Sequence, residues 1–185
     1  MSLAIVFGAA AFAQAPAQTA LPPIDGNERA KYLAVENVGV GSLLENVAIG
    51  AVQTLENTPK EYGPHWEGFG KRTGIVTANY GVKSVMEVGL GSLWGEDPRY
   101  DRTEGLHFGA RLGHVVKMTF LARNRDGKTM PAYSRYIAFP ASNFLANEWM
   151  PDSQSKASDA ALRAGLGFLS RMAENGYKEF IAKRK

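Results

Sequence analysis

The chain contains no cysteine, which excludes disulfides, thiolate chemistry and cysteine-based metal sites. No charged residue precedes Asp25. After the leader, no uncharged stretch reaches the roughly 18 residues that mark a membrane-spanning candidate. The longest, Tyr136 to Asn147, contains Pro140 and two asparagines. No conventional transmembrane helix is therefore expected in the mature chain. Walker, Rossmann and Gly-x-Ser-x-Gly patterns are missing, and no nucleophile–base spacing is recognisable. His107 and His114 would share a helical face but stand about two turns apart. Without a third ligand they make no metal site, so no metal and no cofactor is expected.

What is present describes a folded chain. Charged residues make up 21% and hydrophobic ones 45% of 185 positions, an ordinary globular balance. A chain of this length forms one domain and buries about two-thirds of its unfolded surface. Leu3 to Ala13 is an apolar run of signal-peptide length, and Ala11-Phe12-Ala13 fits a small-x-small cleavage site. The expected division is a signal peptide over 1–13, a flexible Ala/Pro/Gln-rich lead-in over 14–26 and a single helical domain over 27–185. A cut after Ala15 is the second option. The missing basic n-region fits a start upstream of Met1, and a buried N-terminal helix is the alternative to a signal.

The 20 glycines fall inside periodic segments rather than in a linker. Gly70, Gly74, Thr77, Gly81, Ser84, Val88, Gly91 and Gly95 recur at strict 4-3 spacing, which places them on one helical face. Such a small-residue seam admits a second backbone closely. Pro64 suits the first turn of this helix, and Gly95 before Asp97-Pro98 suits its end. Unbroken from His65 to Trp94 it would span roughly 45 Å. Each interior glycine costs about 1 kcal/mol relative to alanine, so packing must hold it.

Helices are also expected over Asn27–Glu36, Ser42–Glu56, Gly105–Ala122, Tyr133–Trp149 with a kink at Pro140, and from Ser158 onward. In the last, Leu162, Leu166, Leu169, Ala173 and Phe180 lie at core spacing. Phe108, Leu112, Val115 and Val116 form the apolar face of the Gly105–Ala122 helix. Asn124-Arg125-Asp126-Gly127-Lys128 is a turn signal, with a short hairpin expected over 117–135. The fold class is mainly α: a compact bundle of four to five helices with Gly/Ser/Ala seams and one short hairpin.

Two constellations carry charge. Glu96 and Asp97 follow the proposed helix C-terminus, where the dipole disfavours negative charge by about 0.3–1 kcal/mol each. Arg99 and Arg102 are placed to lock that turn as an ion-pair network. The functional alternative keeps Glu96, Asp97, Arg99 and His107 for a cation or general-base role. The second constellation is basic: Arg111, Lys117, Arg123, Arg125, Lys128 and Arg135 stand against only Asp126. It is either a patch for anionic lipid or glycan, or a solvated helix face and turn. Export argues against nucleic acid as a partner.

Gly68-Phe69-Gly70-Lys71-Arg72-Thr73-Gly74, then Leu93-Trp94-Gly95-Glu96-Asp97-Pro98-Arg99-Tyr100, and later Lys178-Glu179-Phe180 resemble the pattern of a family of uncharacterised exported acidobacterial proteins. The resemblance spans roughly residues 60 to 180. This chain departs from it after Phe180, ending Ile-Ala-Lys-Arg-Lys. The resemblance implies an envelope location and no particular activity.

The expected function is an exported, envelope-associated helical protein with a structural, packing or lipid/glycan-binding role, in the periplasm or at the outer-membrane periphery. A homo-oligomer through the glycine seam is the partner arrangement this favours. The alternative is a hydrolytic or cation-dependent periplasmic enzyme built on the Glu96-Asp97-Arg99 turn; the reading leans away from an enzyme.

Overall fold

The computed structural model describes residues 22–103 and 105–182, so the 1–13 signal peptide lies outside the described residues. The protein is mainly α-helical. In chain order it runs α1 (Gly26–Val38), α2 (Val40–Leu55), α3 (His65–Trp94), α4 (Phe108–Phe120), β1 (Leu121–Arg123), β2 (Thr129–Pro131), α5 (Tyr133–Ala146) and α6 (Ala157–Phe180). Single 3-10 turns occupy Lys60–Tyr62 and Asp152–Gln154.

Local chemistry sets most boundaries. Asp25 accepts from the Glu28 backbone N–H at 2.7 Å and caps α1. α3 runs unbroken through Gly81 and stops at Gly95, whose φ of 79° is the left-handed C-terminal cap. The hairpin is shorter than 117–135 because Lys117 to Phe120 stay in α4 and Tyr133 opens α5. Leu121 faces Pro131 and Arg123 faces Thr129, and the Asn124 side chain accepts from the Asp126 and Lys128 backbone N–H groups across the turn.

α3 is the spine. α1 and α2, separated only by Gly39, run antiparallel along it: Arg29 reaches Glu96, Asn37 reaches Ser84, and Gly50 abuts Thr73. α5 lies antiparallel on the other side, and α6 packs against α5 and α4. An 18-residue window of Gly26–Leu55 has mean hydropathy 1.3 and only 11% of it is buried, so this run is long and apolar enough to cross a membrane. Uncharged-run length missed it because Glu45 interrupts α2.

The interior inverts the usual polarity. Its apolar part is small, with Val88, Val115, Met118 and Phe139 among alanines such as Ala138, Ala146, Ala160 and Ala164. Beside them lie Arg72, Glu87, Glu96, Arg135, Arg171, Asn175 and Glu179, all buried. Leu162, Leu166 and Leu169, placed at core spacing by the sequence, are instead 64%, 50% and 59% exposed. Ala173 is exposed with them, while Arg171 and Glu179 take the inside. In α4, Val115 is buried but Phe108, Leu112 and Val116 face outward.

The glycine seam divides in two. Its C-terminal part, Ser84, Val88, Gly91 and Gly95, is buried. Gly70 and Gly74 are exposed, and a Cβ on either would meet nothing within 4 Å. A straight α-helix drifts by about 20° per heptad from a 3.5-residue repeat, so one stripe cannot hold one neighbour for its whole length. Thr77 bonds its hydroxyl back to Thr73, and Gly81 lies beside Asn37. A close α2–α3 approach involves a glycine outside the seam: a Cβ on Gly50 would stand 2.2 Å from Thr73 Oγ1 and 3.1 Å from its backbone nitrogen.

Candidate binding cleft

The charged interior is organised around Glu87 on α3. Arg135 of α5 donates from Nε to one carboxylate oxygen at 3.0 Å, and Arg171 of α6 donates from Nη2 to the other at 2.6 Å. Arg135 also donates to the Met118 and Thr119 carbonyls that α4 leaves free at its C-terminus. Arg171 continues to the Tyr32 hydroxyl and Glu174, and Lys178 joins Glu174 to Glu36. Burial alone would raise the Glu87 carboxyl, but Arg171 and Arg135 outweigh it and hold it below its ordinary value. The same balance, with Arg171 and Lys178 winning over burial, brings Glu174 down to about 2. Burial pushes the Tyr32 phenol up to about 12.

The motifs that carry the sequence resemblance serve structure. Arg72 is fully buried and clasps the α2–α3 connection, donating to the carbonyls of Thr58, Pro59 and Gly63 and to the Asn57 side chain. Gly68 is required there, since its Cβ would stand 2.0 Å from the Gly63 oxygen. The Asp97–Tyr100 turn meets Lys178-Glu179-Phe180 directly. Tyr100 donates to Glu179 at 3.0 Å, and Thr103 and Arg111 complete that carboxylate's shell.

The turn residues are fully engaged. Glu96 is buried and accepts from the Trp94 indole N–H and from the Ser134 backbone N–H and hydroxyl, which fixes the α3–α5 corner. Asp97 accepts from the Arg99 backbone and guanidinium, and Arg99 extends to Glu28 and the Pro22 carbonyl. Arg102 donates instead to the Ala182 carbonyl. His107 is exposed at the start of α4, and His114 bonds the Asp101 carbonyl at 2.7 Å. Among the described residues no group of three or more His, Asp and Glu is placed to hold a metal ion.

The basic constellation does not form one surface. Arg135 is buried on Glu87, Arg111 is paired with Glu179 and Arg123 with Asp101. Arg125 reaches the Ser92 carbonyl. Lys117 and Lys128 are exposed. Residues contiguous in sequence here belong to a helix, a hairpin and a second helix, so their side chains diverge into different carboxylates.

The structure instead brings together a cleft of about 410 Å³ between α2, α3, α5 and α6, where α2 and α6 stand apart over α3. Ile49, Ile75, Val76, Met150, Leu162 and Leu166 give it apolar walls. Lys83 lines it with no hydrogen bond or ion pair among the described residues; its ammonium lies 4.1 Å from the Tyr80 ring centre and 5.2 Å from that of Phe139. Burial and then Arg171 lower the Lys83 pKa, against the opposing pull of Glu87, Glu174 and Glu36. Arg163 also lines the cleft, donating only to uncharged oxygens of Gln154, Asn143 and Asn147.

Neither Arg163 nor Arg171 stood out in the sequence, and Lys83 and Glu87 read there only as the polar side of the seam helix, together with Arg72 and Asn79. The available signal was the clustering of charges on one side of α6, at Asp159, Arg163, Arg171, Glu174 and Lys178. Comparison of the chain with family models, curated proteins and solved structures returns no match.

Proposed function

We propose that this protein is a non-enzymatic envelope protein that rests on a membrane surface, with the apolar rim formed by α2 and α6 against lipid. The observation that carries this reading is the outward face of α6. Its exposed positions, including Ala161, Leu162, Gly165, Leu166, Leu169, Ala173 and Tyr177, are all uncharged, while each of its charged residues is buried or half-buried. α5 repeats the pattern, exposing Tyr133, Tyr136, Ile137, Phe144 and Leu145 and burying Arg135. Across the rim, α2 exposes Val47, Val52 and Leu55.

Water-facing helices ordinarily put their charges outward. Apolar exposure on this scale marks a surface that meets lipid or another apolar face. Completing the burial of Leu162, Leu166 and Leu169 contributes on the order of 3 kcal/mol, enough for reversible membrane attachment when the α2 side adds its share. The leader-like Leu3–Ala13 run and the resemblance to exported proteins support an envelope location for that membrane.

Flotation of the full chain with phosphatidylglycerol-containing vesicles tests the reading. The expected outcome is co-flotation that Leu169→Glu with Tyr177→Glu abolishes, both positions being exposed on α6 and outside the cleft wall. A chain that stays at the bottom of the gradient overturns it.

A further inference from the structure

The cleft contains more positive charge than its surroundings neutralise. Around Glu87, the cations Lys83, Arg135, Arg171 and Lys178 face the carboxylates Glu87, Glu174 and Glu36, and Lys83 is the one cation with no carboxylate in contact. Arg72 and Arg163, also on the cleft wall, hold only uncharged oxygens. Asp159 is the single carboxylate on that wall. Two further donors on it, the Tyr62 hydroxyl and Arg163 Nε, are buried without an acceptor. Every unmet requirement is for negative charge or an acceptor.

The walls add the second half of the specification. Between Arg72 and Lys83, about 16 Å apart along α3 at helical rise, the lining is dominated by Ile75, Val76, Leu162 and Leu166. A small hydrated anion gains nothing from such walls, and a neutral chain leaves the ammonium unanswered. The volume falls within the ~300–1,000 Å³ range of small-ligand sites.

We infer that the cleft binds a single-chain amphiphile with an anionic head, the head on Lys83 and the chain along Ile75, Val76, Leu162 and Leu166. The carboxylate of a fatty acid and the phosphate of a phosphorylated alkyl chain share this chemistry. Lys83 meets the head as a point charge close to the Tyr80 and Phe139 rings, so either geometry is accepted. The inference does not rest on membrane attachment, because a monomeric ligand reaches the cleft from solution.

Isothermal titration calorimetry of the full chain in vesicle-free buffer tests it, with laurate, dodecyl phosphate, dodecyl maltoside below its micelle concentration, and butyrate. The expected result is one anionic dodecyl chain per protein, bound at least about tenfold more tightly than the neutral or the short probe. Lys83→Met weakens laurate by about tenfold or more, and Lys83→Arg restores it. The tighter of laurate and dodecyl phosphate names the head. Equal affinity for dodecyl maltoside, no laurate binding, or unchanged affinity in a folded Lys83→Met protein overturns the inference. If circular dichroism shows Lys83→Met unfolded, the wild-type contrast between laurate and dodecyl maltoside decides alone. Failure of flotation with retained laurate binding rejects the membrane reading and leaves this one standing.

Discussion

Arg171 and Glu87 meet at 2.6 Å across the bundle interior, joining α6 to the spine helix where neither residue has appreciable contact with water. Arg135 occupies the other oxygen of the same carboxylate, so one anion holds two cations from two helices. Such an arrangement is costly to assemble and more costly to break on one side.

Glu87→Gln therefore leaves two buried guanidiniums facing a neutral amide. The expected loss is about 3–5 kcal/mol, and urea denaturation followed by far-UV circular dichroism measures it. Lys128→Ala, at an exposed position of the same basic constellation as Arg135, is expected to stay within about 0.5 kcal/mol of the wild type. Equal effects in the two variants would sink the account of the interior given above.

Acid should unfold the protein through the same cluster. Glu87 and Glu174 titrate lower in the folded chain than in the unfolded one. The unfolded chain consequently takes up protons first as pH falls. The stabilisation is complete above the unfolded carboxylate value near 4.3. It is lost as pH drops through the folded value, about 2 for Glu174. Urea midpoints measured from about pH 7 down to pH 2 should hold steady and then decline below about pH 5. The decline should be shallower in Glu174→Gln. A midpoint that rises on acidification contradicts the assignment.

Two glycines on facing helices should respond oppositely to alanine. At Gly50 the new Cβ collides with Thr73, including its backbone, so Gly50→Ala forces α2 from α3 and destabilises by about 1–3 kcal/mol. At Gly74 the space is open, and Gly74→Ala gains up to about 1 kcal/mol of helix propensity. Thermal melts of both variants measure the contrast. Sedimentation equilibrium of Gly74→Leu reports separately whether a second copy uses that open face.

The helices were largely legible in the sequence because their punctuation is local. Pro64, Gly95, Asn124 and Pro151 act on their immediate neighbours, and α3 lies where they place it. Which face of each helix turns inward was not legible. Periodicity in α6 separates Leu162, Leu166 and Leu169 from Arg163, Arg171 and Glu174, but it carries no sign. Assigning the leucines to the core assumed water on the other side. The partners of the basic constellation were not legible for a related reason: Arg135 finds Glu87 only after α3 and α5 pack, a pairing between residues far apart in the chain. The Asp97–Arg99 turn was readable because donor and acceptor are two residues apart.

The sparse apolar interior has a thermodynamic consequence. A protein whose fully buried side chains are mostly polar groups and alanines exposes less new hydrocarbon when it opens, and polar exposure lowers the heat capacity of unfolding. Its heat-capacity increment should fall below the ordinary value per residue, which broadens and flattens the dependence of stability on temperature. Such a chain leans on charge pairing in the cold and in the heat alike, and cooling removes less of what holds it together.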